Sequence, residues 1–156
     1  MKRCIITGII AGLCFNLYAS DRSISVNSNA EYENVNVIQS NIISECTSLG
    51  QQFSDSTKKY LIKNGWSVDS SDNSENHLEL IITNAFSAGN AFIGHRKSVS
   101  VKANLYQNNV LVDSFIGTRN STGGIGGPFK SSCAVLARCT NTLGNDISKW
   151  LRNKIY

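Results

Sequence analysis

Apolar residues recur along this chain with two different periods. From about Glu45 to Asn64, Cys46, Leu49, Phe53, Tyr60 and Leu61 return at three- and four-residue steps, and Lys63-Asn64-Gly65 adds a basic last turn and a glycine stop. Residues 131–152 carry a second stripe of Cys133, Leu136, Thr140, Leu143, Ile147 and Trp150, interrupted by Gly144, which costs about 1 kcal/mol relative to Ala in an exposed helix. Between these stripes the period falls to two. "HLELIITNAF" sets Leu78, Leu80 and Ile82 on one face and Glu79 and Thr83 on the other, and Lys97–Tyr106 alternates Val99, Val101, Ala103 and Leu105 with polar residues. Gln107-Asn108-Asn109 then leads into "VLVDSFIG"; paired asparagines tolerate positive φ, so a β-hairpin is predicted around Asn108-Asn109. A short strand is also predicted at "WSV".

A sheet with one dry face needs that face covered, and two amphipathic helices can cover it. The predicted fold is therefore a two-layer α+β sandwich, with an antiparallel sheet of about four strands and helices at about 45–64 and 131–152 on one face. Residues 45–156 form the single domain in this reading. Residues 20–44, rich in Ser and Asn with short alternations at "SISV" and "VNVI", read as an extended or edge-strand lead-in.

The N-terminus sets the expected compartment. Lys2 and Arg3 precede an apolar run from Cys4 to Phe15 and then "NLYAS", the order of a secretory signal over residues 1–19 with cleavage after Ala19 or Ser20. At about twelve residues the run falls short of the roughly 20 a membrane span needs. The expected product is periplasmic or secreted; the alternative is a lipid anchor on Cys14, although Leu13 stands where a lipoprotein signal carries a small residue. About 136 residues then remain, enough for one ordinary core.

Charge is distributed unevenly. The formal net charge is +4, and without Lys2 and Arg3 it is 13 basic against 11 acidic residues, or +2. Residues 21–95 hold four basic and nine acidic side chains, whereas 96–156 hold nine and two. Such asymmetry steers anionic partners. If the 86–97 loop lay beside the second helix, Arg96 and Lys97 would join Lys149 and Arg152 in a surface for an anionic envelope component or an acidic protein.

Cysteine usage follows from the compartment. With Cys4 and Cys14 in the leader, Cys46, Cys133 and Cys139 remain, one disulfide and one odd thiol in an oxidising setting. Cys133 and Cys139 on one helix sit about 9 Å apart and point about 120° apart, beyond disulfide reach. Cys46–Cys133 is the favoured pairing and Cys46–Cys139 its competitor.

Catalytic patterns are sparse. "TGGIGGPFKSSCAVLARC" (122–139) has the glycines of a phosphate loop, but Phe129 precedes Lys130 and Pro128 removes an N–H that a phosphate cradle would use; it reads as a hinge into a helix capped by Ser131 or Ser132. No dinucleotide fingerprint, cofactor motif, nucleic-acid motif or metal-ligand spacing is present, and neither His77 nor His95 has a cysteine or carboxylate at zinc spacing. His95, in "GNAFIGHRKS", is the residue on which a small hydrolase or enzyme-inhibitor reading would rest, though no G-x-S-x-G elbow accompanies it.

Four blocks, "ECTSLGQQFSDSTKKYL", "GNAFIGHRKSVSVKANLYQNN", "TRNSTGGIGG" and "SSCAVLARCTNTLGNDISKWL", together resemble a family of small uncharacterised bacterial exported proteins, over about Ile42 to Leu151. The resemblance implies an envelope or secreted α+β domain without assigned catalytic residues. Many members of that family are lipoproteins, from which this chain departs at Leu13-Cys14. The expectation is a non-enzymatic exported binding or assembly module.

Overall fold

The computed structural model describes residues 22–69, 74–90, 94–121 and 131–154, with the backbone alone at 89, 90, 94 and 95. In chain order the elements are β1 (Ser23–Val26), β2 (Glu31–Tyr32), a 3-10 turn at Val35–Val37, α1 (Ser40–Glu45), α2 (Leu49–Lys63), β3 (Ser67–Asp69), β4 (Asn76–Asn90), β5 (Gly94–Gln107), β6 (Val110–Ser121) and α3 (Ser132–Leu151). The glycine-rich stretch 122–130, on which the hinge expectation falls, lies outside the described residues.

The three long strands form an antiparallel meander, as the alternation predicts, and the β5–β6 turn holds Asn108 and Asn109 at φ 49° and 64°. The sheet as a whole is different from the four antiparallel strands expected. It has six strands in the order β3-β1-β4-β5-β6, with β2 also on β4, and β1, β2 and β3 join in parallel. The expected edge-strand lead-in instead supplies a strand between β3 and β4, with Ile24 fully buried and Val26 nearly so. Four residues are too few for a period of two to stand out, and the partners of β1 are more than 40 residues away. The first predicted helix also divides. Cys46 caps α1, and α2 starts at Leu49.

Core positions on the meander are Leu78, Leu80, Ile82, Ala85, Val99, Val101, Ala103 and Leu105, and they meet Leu49, Phe53 and Leu61 of α2 and Leu136, Leu143, Ile147 and Leu151 of α3 in one cluster. Burying each such large side chain contributes about 1.5–3 kcal/mol. The step from Ile82 to Ala85 breaks the period of two, and the register shifts there in the β4–β5 ladder, so a bulge keeps both residues facing the helices.

Helices α2 and α3 run parallel to each other. Thr57 lies against Gly144, Ser148 Oγ donates to the Tyr60 carbonyl at 3.0 Å, and Arg152 donates to Asn64 Oδ1 at 3.0 Å. A Cβ at 144 would sit 2.9 Å from the Thr57 backbone nitrogen, so the glycine that interrupts the stripe marks the closest approach of the two helices. Ser131 caps α3 by accepting from the Ala134 amide at 3.2 Å. Cys46 and Cys133 form the disulfide, tying the α1–α2 junction to the first turn of α3, while Cys139 is a buried free thiol.

Candidate functional site

The sheet face turned away from the helices carries a connected polar group across three strands. Register places Glu79 of β4 opposite Asn104 of β5, and Asn104 opposite Ser114 of β6. Asn104 Nδ2 donates to Glu79 Oε2 at 2.9 Å, Tyr106 Oη donates to the same oxygen at 3.2 Å, and Ser114 Oγ donates to Asn104 Oδ1 at 2.8 Å. One residue pair further along, His77 faces Tyr106 with ring centroids 6.2 Å apart, and His77 Nδ1 meets Ser25 Oγ at 2.8 Å.

Beside this group lies an open cleft of about 530 Å³, lined by Asn27, Glu31, Tyr32, Glu33, His77 and Glu79 among others. Its origin is local. β1 ends at Val26 and β2 begins at Glu31, so β4 loses its neighbour between them, and Asn27 bridges the gap by donating to the Leu80 carbonyl at 3.0 Å and accepting from the Leu80 amide at 2.9 Å. An Asx side chain here replaces a missing ladder pair.

Partial desolvation raises the Tyr106 phenol above its ordinary value, and the negative charge of Glu79 and its hydrogen bond add to the rise. Burial likewise raises Tyr32, whose Oη has no partner among the described residues. Three carboxylates border the cleft, and Lys102 stands 3.7 Å from Glu33 at the rim. Of the three, Glu79 is held by hydrogen bonds while Glu31 and Glu33 are exposed, and the rings of Tyr32 and His77 stand beside them. Ser25, the hydroxyl beside His77, is only 2% exposed, while His77 itself lines the cleft. Among the described residues no cluster of His, Cys, Asp and Glu converges to hold a metal ion.

The residues singled out in the sequence are not brought together. Ser87, at the start of the predicted 86–97 loop, lies beside the start of α3, where its Oγ is 2.9 Å from Ser132 Oγ, whereas Lys149 and Arg152 are at the other end of that helix, about 25 Å away at 1.5 Å per residue. Arg96 is exposed, but Lys97 pairs with Ser121 on the helix-facing side and is only 4% exposed. The expected four-residue basic surface is therefore split. Lys97 is lost from it because the strand alternation carries 97 to the same face as Val99 and Val101. His95 pairs through its backbone with Gly89, and its side chain lies outside the described residues. Glu79, Asn104 and Tyr106 escape a reading of the sequence because polar residues on the outward half of an alternating strand look like an ordinary wet face; only cross-strand register reveals that they meet.

No protein-family model matches the chain, and no curated protein matches it. Solved structures do share its fold. The PelC dodecamer from Paraburkholderia phytofirmans is similar at a TM-score of 0.55 and 16% identity, over 81% of this chain and 85% of that one. Protein XCC0632 from Xanthomonas campestris is similar at 0.56 and 10% identity, over 84% and 83%. Lipoprotein GNA1162 from Neisseria meningitidis is similar at 0.50 and 13% identity, over 82% and 99%. At these identities the likeness is one of fold, and it is to the fold of small bacterial lipoproteins and uncharacterised bacterial proteins that this chain conforms.

Proposed function

We propose that this chain is an exported, non-enzymatic bacterial envelope or secreted protein that works as a binding or assembly module. The observation that carries the reading is the Cys46–Cys133 disulfide across an 87-residue separation, a cross-link that persists in oxidising compartments. The fold shared with bacterial lipoproteins supports the same compartment, and the dodecameric state of the Paraburkholderia protein supports assembly as one use of the fold. The outward cleft supports binding over catalysis, because its central carboxylate accepts from two donors and the hydroxyl of Ser25, the partner of His77, is buried.

The chain expressed in a bacterial host should fractionate with the envelope or the medium, with Cys46 and Cys133 protected from alkylation until a reductant is added. Recovery as a reduced protein in the cytoplasm would overturn the compartment. Turnover of ester, peptide or glycoside substrates that is lost in His77→Ala would overturn the non-enzymatic reading.

A further inference from the structure

One end of the molecule gathers features that the cleft does not use. The C-termini of α2 and α3 share this end, since Arg152 reaches Asn64, and the β5–β6 hairpin is there too, because Lys154 Nζ lies 2.8 Å from Asp113 Oδ2. β3 begins there as well, where the Ser67 amide donates to the Arg22 carbonyl at 2.9 Å. The hairpin presents Val110, Leu111 and Val112 at 63%, 52% and 46% exposure, and Ile62 on the last turn of α2 is 61% exposed. Other large apolar side chains are exposed elsewhere, Ile116, Val35 and Val37 among them, but only here among the described residues do three consecutive ones stand together at a turn.

The charges around them have one dominant sign. Arg22, Lys63, Lys149, Arg152 and Lys154 stand at this end, against Glu75, Asp69, which accepts from the Ser23 hydroxyl, and Asp113, which is already paired with Lys154. A basic rim around an apolar tip complements a surface that is anionic outside and apolar beneath. That combination is an anionic lipid bilayer; an acidic protein or a polysaccharide would satisfy the rim and leave the tip in water. The polypeptide also enters the fold here, through Arg22 into β1. An attachment made through the segment before Arg22 would present this same end to the membrane.

We propose that this pole is a peripheral membrane-docking surface, with the Val110–Val112 hairpin entering the headgroup region and Lys63, Lys149 and Arg152 holding anionic headgroups. The inference rests on the envelope reading only in requiring that a membrane be within reach. No described helix is long and apolar enough to cross a bilayer, and the docking proposed is interfacial.

The test uses the purified disulfide-bonded protein with large vesicles of phosphatidylglycerol and phosphatidylcholine in equal parts, and with phosphatidylcholine alone, in co-sedimentation at about 0.05 M salt. The mixed vesicles should bind and the neutral ones should not. Each basic residue near an anionic surface is worth about fivefold in partition, so replacing Lys63, Lys149 and Arg152 with Gln should weaken binding about a hundredfold. Replacing Val110, Leu111 and Val112 with Ser should weaken it at least tenfold, while both triple variants keep the wild-type circular dichroism spectrum. In a Leu111→Trp variant the added indole should shift its emission to the blue and be quenched by brominated lipid. Vesicle binding unchanged in both triple variants, or an added indole that stays unquenched in the Leu111→Trp variant, overturns the proposal. So does a concentration-dependent dimer that the Ser variant abolishes while vesicles remain unbound, which would assign the tip to a second copy of this chain. Because no cell is involved, failure here is separate from failure of the compartment assay.

Discussion

Replacing Gly144 with Ala puts two opposing effects on one methyl group. In an exposed helix the change stabilises by about 1 kcal/mol, since glycine loses more backbone freedom on folding. Here the new Cβ would stand 2.9 Å from the Thr57 amide nitrogen, 3.0 Å from Thr57 Oγ1 and 3.1 Å from the Ser56 carbonyl carbon. Two of these atoms are backbone, so relief requires the helices to part by several tenths of an ångström. They are held on both sides of this point, by the disulfide at the start of α3 and by the Ser148–Tyr60 and Asn64–Ser148 hydrogen bonds one turn on. Overpacking of this kind costs about 1–3 kcal/mol. The net expectation is a loss of about 0–2 kcal/mol for Gly144→Ala and more than about 3 kcal/mol for Gly144→Val, since two further methyls enter the same gap. Urea unfolding of the oxidised protein, followed by far-ultraviolet circular dichroism, measures it through the midpoint at constant slope. An increase in stability of about 1 kcal/mol for the Ala variant would refute the close-approach argument and return Gly144 to the status of a simple interruption.

Removing the disulfide with Cys46→Ser and Cys133→Ser together should cost about 4–5 kcal/mol on the chain-entropy model for an 87-residue separation, seen as a urea midpoint that no longer responds to reductant; a loss under about 1 kcal/mol would contradict it. Burial raises the Cys139 thiol above its ordinary value, so maleimide at pH 7 should leave this residue unlabelled in the native protein and label it in urea, read by peptide mass. The raised Tyr106 phenol favours the folded state fully below its unfolded value near 10 and loses that contribution as pH rises through the higher folded value. An ultraviolet difference titration against Tyr106→Phe should show late ionisation, and Glu79→Gln should move it back toward the ordinary value. Titration at the ordinary value in the wild type would remove Glu79 as a partner.

What could be read from the sequence followed from the length of the repeating patterns. The strands that became β4, β5 and β6 each run for 12 or more residues, and α3 for 20, so their periods were visible and the Asn108-Asn109 turn could be placed between them. β1 and β2 have four and two residues, too short for any period, and their pairing depends on partners far along the chain. The two-layer arrangement followed from one dry face, whereas the parallel strands beside β4 had no local signature. The same limit hid the Glu79, Asn104 and Tyr106 group, whose members are up to 27 residues apart and meet only through register. The bulge after Ile82 moved Thr83 out of simple alternation, as one extra residue must. Lys97 stands in a run of basic residues, where charge is the visible property, yet its strand position governs its exposure.

The placement of β1 between β3 and β4 has a consequence for the order in which the molecule can form. The first strand made has partners about 44 and 52 residues later, so it stays unpaired until β3 and the start of β4 are present. The meander, by contrast, closes through a two-residue turn and can zip from Asn108-Asn109 outward on the microsecond timescale of hairpins. Long-range parallel pairing of this kind slows folding, because loop closure precedes any gain from contact. A chain emerging N-terminus first would therefore hold β1 without its sheet partners until much of the domain had followed, and the parallel half of the sheet would close last.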